Sequence, residues 1–98
     1  MSGQRWPRAE VRRILGVTEE FLFAIEEAEI VRADSEGRYP SSALERIRIC
    51  WNLERDLAVN LAGQEVVLHL LERVQRERQQ FREVLGWLGF NLRRGRDA

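Results

Sequence analysis

Lysine is absent from this sequence: all 16 basic residues among its 98 are arginine, and 16 acidic residues balance them. A net charge of zero predicts no general attraction to nucleic acid. There is a single cysteine, Cys50, and a single histidine, His69, so neither an internal disulfide nor a His/Cys zinc cluster can be assembled. No apolar run approaches the roughly 20 residues of a membrane span, and the opening Met1–Pro7 lacks the apolar stretch of a secretory signal, so a cytoplasmic protein is expected, away from any membrane. A glycine-rich phosphate loop, an internal repeat and a low-complexity segment are missing too. What remains is 44% hydrophobic and 33% charged, the balance of one folded domain with a limited core that would profit from a partner subunit.

The same scarcity argues against catalysis. His69 stands between Leu68 and Leu70 with no nucleophile near it in sequence, and Cys50, between Ile49 and Trp51, reads as a small core residue. Glu26 and Glu27 are adjacent, and adjacent residues on a helix diverge instead of converging on a substrate. We expect no enzyme, no cofactor and no metal.

Periodicity then organises the chain. Pro7 suits a helical first turn, and Val11, Ile14 and Leu15 share a face, giving a helix from about Pro7 to Leu15 that Gly16 ends. Thr18 is a good cap for a second helix, in which Phe21, Leu22, Ile25 and Ala28 form a buried stripe. Glu19, Glu20, Phe23, Glu26 and Glu27 are left outward. Two short helices about a glycine turn make a helix-turn-helix, and the polar stretch Arg32–Pro40, with Gly37 inside it, predicts a short β-hairpin wing. Ser42 and Glu45 suggest a capping box for a third helix with Leu44, Ile47, Trp51 and Leu57 inward, and Asn60 a cap for a fourth running from Leu61 towards Leu85.

In that fourth helix Val67, Leu71, Val74, Arg78, Phe81, Leu85 and Leu88 alternate in steps of four and three, the period of a coiled-coil seam. Arg73, Arg76, Glu77 and Arg82 keep the other side solvated, so a second copy of the chain is the simplest partner, with Arg78 either setting register or reaching out at the edge. Gly86 and Gly89 weaken helix past Leu85, yet Trp87, Leu88, Phe90 and Leu92 are too apolar for a free tail and are expected against the partner subunit. The mainly α chain thus divides into a winged helix-turn-helix with a connecting helix (1–58), a dimerisation helix with an apolar end (59–92) and a frayed tail (93–98).

Gly16-Val17-Thr18, Gly37-Arg38-Tyr39 and Arg46-Ile47-Arg48 stand in the order and spacing of the MerR family of winged helix-turn-helix proteins, which this chain resembles from about Ala9 to Leu85. Asp56–Gly63 and Val66–Glu72 are similar to the Asn-Leu-Ala-Gly region of two heat-shock-linked groups, the HspR repressors and the CbpM-like chaperone modulators. The second helix separates those groups. Where DNA-binding relatives carry an Arg-Tyr-Tyr-Glu run, this chain has Phe23-Ala24-Ile25-Glu26, and Glu20 and Glu27 replace basic residues. From Thr18 to Val31 there are five glutamates and no cation, whereas a helix reading the major groove needs donors such as arginine.

The CbpM-like resemblance implies a modulator that binds the J-domain of a CbpA/DnaJ-type cochaperone, whose basic helix addresses Hsp70. Glu19, Glu20, Phe23, Glu26 and Glu27 would be the partner-facing set, with Phe23 as apolar anchor. The alternative is a MerR/HspR-type regulator of heat-shock genes that touches DNA through Arg12, Arg13, Arg32 and Arg38. Glu19 and Glu20, at a helix start, gain from the helix dipole whatever their role. Glu26 and Glu27 do not.

Overall fold

The computed structural model describes residues 3–97, with side chains described over 3–89. Its elements are strand β1 (Arg5–Pro7), helices α1 (Arg8–Leu15) and α2 (Glu19–Glu27), strand β2 (Arg38–Pro40), and helices α3 (Ser41–Leu57) and α4 (Leu61–Asp97). This is the mainly α winged helix-turn-helix expected. Chain contacts divide it into two units, Met1–Leu68 and His69–Ala98.

In the first unit, local chemistry ends and starts the helices. Gly16 takes the left-handed conformation at φ 70° and donates its N–H to Arg12 O (2.8 Å), closing α1. Thr18 Oγ1 accepts from the Phe21 N–H at 3.1 Å, so the predicted cap of α2 is present. Phe21, Leu22 and Ile25 are buried, Ala28 is half-buried, and the stripe packs with Val11, Val17, Ile30, Val31, Tyr39, Ala43, Ile47, Cys50 and Leu68. Phe21 meets Trp51 edge-on, with ring centroids 4.9 Å apart.

Several expectations shift. The wing segment does turn back, with Asp34 N–H donating to Arg38 O (2.8 Å) and Gly37 N–H to Asp34 O (2.9 Å). The strand that follows pairs elsewhere, however: β2 runs antiparallel to β1, with Trp6 opposite Tyr39. Pro7 therefore ends a strand and precedes α1 instead of opening it. Helix α3 begins at Ser41 without a side-chain cap, and the Ser42–Glu45 box does not form because Glu45 pairs with Arg48 one turn on. Ile14 is 47% and Leu57 68% exposed, so neither is a core residue. Leu57 lies in the last turn of α3, where Ala43, Ile47 and Cys50 have already supplied the buried face.

The α3–α4 corner explains the Asn-Leu-Ala-Gly segment. Asn60 Oδ1 accepts from the Gly63 N–H at 2.8 Å, the predicted cap. A Cβ on Gly63 would lie 2.6 Å from Val59 Cγ1, so any larger residue there would force the Val59 side chain to shift. Gln64, fully buried, donates through Nε2 to Val59 O (2.8 Å) and Glu54 Oε1 (3.3 Å). With Gln64 and Leu68 buried, the first two turns of α4 belong to the first unit, which ends at Leu68. Ala58, the C-cap of α3, sits at φ 54°, a strained region for any residue with a Cβ. Ala58→Gly is expected to raise stability by about 0.5–1 kcal/mol and Tm by about 2–6 °C in a thermal melt, the relief of strain outweighing glycine's added chain entropy. A lower Tm would contradict this.

In the second unit, α4 continues through Gly86 and Gly89 to Asp97, beyond Leu85 and into the stretch expected to fray. The side chains of Phe90, Leu92 and the tail arginines, expected against a partner or frayed, lie outside the described residues.

Candidate functional site

The exposed face of α2 begins at its capped N-terminus. Glu19, Glu20, Phe23 and Glu27 all face outward, Phe23 with 58% of its surface exposed. Glu19, Phe23 and Glu27 follow at i, i+4 and i+8, which at about 100° per residue makes a slowly turning stripe with Glu20 beside it. No residue of α2 is basic. Glu27, in the last turn, stands where the helix dipole disfavours an anion, so its position has no local structural reason.

Glu26 departs from the predicted set. It is half-buried, and its carboxylate is taken up within the fold: Oε1 accepts from Arg8 Nη2 and Oε2 from the Tyr39 hydroxyl. One position along a helix is a rotation of about 100°, enough to turn Glu26 inward while Glu27 stays in solvent. A phenol buried as completely as Tyr39 needs an acceptor. Arg8 and Tyr39 were missed as its partners. The signal was there in Gly37-Arg38-Tyr39, because a core tyrosine calls for a polar group opposite.

The end of α2 is also pinned. Glu29 adopts φ 58°, Ile30 N–H donates to Ile25 O (3.0 Å), and Arg46 Nε donates to Ile30 O (3.0 Å) from α3.

Arg12, Arg13, Arg32 and Arg38 are all exposed. Two are engaged with acids: Arg13 with Glu10 (2.6 Å), which raises the guanidinium pKa, and Arg32 with Glu29 (3.3 Å). Such pairs reduce what these arginines offer to a phosphate. The wing is organised by Asp34, whose carboxylate accepts from the Arg38 N–H (3.0 Å), the Glu36 N–H (2.9 Å) and Arg5 Nη1 (2.8 Å). The Arg38 hydrogen bond foremost, then Arg5 and Glu36, hold its pKa below the usual 3.8. Folding is therefore favoured by the ionised form above the unfolded pKa, and that contribution is lost as pH falls through the lower folded value. In an NMR titration the Glu36 and Arg38 amides are expected to move with a midpoint below 3.8, and Asp34→Asn to remove the transition. A midpoint at or above 3.8 would refute it.

In the second unit Leu71, Val74, Arg78, Phe81, Leu85 and Leu88 are all exposed, Phe81 by 64%. Val67, at the top of the seam within the first unit, is half-buried. Exposed Leu70 and Val84 were not in the predicted seam. At about 100° per residue they widen it on the side away from Arg78. The centre line becomes Val74, Phe81 and Leu88, with Arg78 on one edge and Glu77 on the other.

His69 is exposed on α4, and burial pushes the Cys50 thiol up to about 11. Among the described residues no group of three or more His, Cys, Asp and Glu could hold a metal ion, and no helix is long and apolar enough to cross a membrane. A family model described as "MerR HTH family regulatory protein" matches residues 8–84. No curated protein and no solved structure gives a significant match.

Proposed function

The chain belongs to the MerR helix-turn-helix family, and from that premise we propose that it is a modulator which binds the J-domain of a CbpA/DnaJ-type cochaperone and restrains its action on Hsp70. The observation that carries this reading is the exposed surface of α2. In this family that helix is the one directed at the DNA groove, and here it presents Glu19, Glu20, Glu27 and Phe23 with no cation. Facing a phosphate backbone, three carboxylates repel. Facing a basic helix, they steer and orient, and an exposed aromatic between them provides the apolar centre an interface needs.

The working unit in this proposal is a homodimer. A row of exposed apolar side chains along the second unit is more than a lone helix keeps in water, and a neutral chain meets its own copy without long-range repulsion. The second copy would cover Val74, Phe81, Leu85 and Leu88.

The test is calorimetric titration of the purified protein with the isolated J-domain of the cell's own cochaperone, together with the J-domain-stimulated ATPase of Hsp70. Saturable binding that weakens as salt is raised, and a fall in the stimulated ATPase, are expected. Absence of binding alongside a sequence-specific gel shift on the protein's own upstream DNA would overturn the reading in favour of a DNA-binding regulator using Arg12, Arg13, Arg32 and Arg38.

A further inference from the structure

Apolar contacts set how deep a helix lies, but they are non-directional and leave it free to slide or roll. Helix α2 is seated on the core by Phe21, Leu22 and Ile25, contacts of this kind. Among the described residues, Arg46 pins the backbone just beyond its end at Ile30 O, and from within the helix Glu26 makes directional side-chain contacts to other elements. Glu26 divides its carboxylate between two elements, Oε1 on Arg8 in the first turn of α1 and Oε2 on the hydroxyl of buried Tyr39 in β2. Tyr39 follows wing residue Arg38 directly and lies opposite Trp6 in the sheet, and β1 leads without a break into α1. Glu26 thus fastens α2 to the strand that leaves the wing and to the helix that enters from its partner strand.

We propose that Glu26 is the positioning residue of the α2 binding face. It holds Glu19, Glu20, Phe23 and Glu27 at a fixed angle to the wing without touching the partner itself. This rests on the reading of α2 as the partner-facing helix. Loss of the carboxylate leaves the Tyr39 hydroxyl buried without its acceptor, a state that folded proteins avoid by moving the backbone or admitting water. Either response turns the face.

The experiment compares Glu26→Leu, which leaves no acceptor for the Tyr39 hydroxyl, Tyr39→Phe and the double variant by titration with the J-domain and by amide NMR spectra of the free protein. Tyr39→Phe is expected to weaken binding about fivefold, the worth of one hydrogen bond, Glu26→Leu at least as much because it also removes the Arg8 contact, and the double no further than Glu26→Leu, which already cuts the Tyr39 link. In the free protein both single variants are expected to shift a shared set of amides along Glu19–Glu27. If Glu26→Leu weakens binding while Tyr39→Phe leaves it unchanged, the Tyr39 link does not position α2 and the proposal falls. If both lower Tm but change neither affinity nor the α2 amides, the link is structural only and the proposal also falls. Failure of the α2 reading itself looks different: Phe23→Ala would leave J-domain affinity unchanged, whereas the shared amide shifts would persist.

Discussion

Phe23→Ala combined with Glu27→Arg is expected to lower affinity for the J-domain at least about 100-fold, with the fold intact. Truncating an aromatic at the centre of an interface typically costs about 2 kcal/mol or more, which is roughly 30-fold. Reversing a neighbouring charge adds repulsion against a basic partner and slows its approach. Neither residue supports the structure: both are exposed, and Glu27 opposes the helix dipole, so arginine there is favoured by the helix itself. The melting temperature of the double variant should therefore equal or exceed that of the parent. An undiminished titration would remove α2 as the binding surface.

Phe81→Glu is expected to convert the proposed dimer into a monomer of 11.5 kDa in light scattering, raising the dissociation constant at least about 100-fold. Phe81 lies on the centre line of the apolar rows of α4, where a symmetric pairing puts two carboxylates into one desolvated layer. The helices of the first unit should be unaffected, since its core is completed by Leu68 and the residues before it. Arg78→Glu should cost far less, because Arg78 lies at the edge of the widened stripe. Unchanged mass for Phe81→Glu would show that a second copy does not use this face.

How legible these surfaces were depended on range. Features whose physics acts within one turn were read correctly: the Thr18 and Asn60 caps, the Gly16 turn and the Phe21, Leu22, Ile25 stripe. Each depends on a side chain meeting backbone three or four residues away, or on a repeat of 3.6. Errors came where the deciding contact lay far along the chain. The partner of β2 is a strand beginning at Arg5, and no local pattern distinguishes that from a hairpin. Glu26 sits on a helix among three other glutamates, and only the fold shows that Tyr39 and Arg8 claim it. Ser42–Glu45 fitted the capping-box pattern, yet Glu45 found an arginine one turn away. The extra width of the α4 stripe was legible in Leu70 and Val84, but counting strictly by four and three leaves them out.

Cys50, buried among core residues with its thiol pushed up to about 11, gives the protein a chemically quiet background. At neutral pH about one molecule in ten thousand carries the thiolate, and that sulfur is enclosed. Maleimide labelling of a single introduced cysteine will therefore report only on the site chosen, without first removing the native one. A probe at an exposed position outside each proposed surface, such as 35 on the wing or 83 on α4, would test the proposed partner docking and subunit exchange separately in the same preparation. The absence of lysine extends this freedom, since no side-chain amine competes for amine-directed reagents.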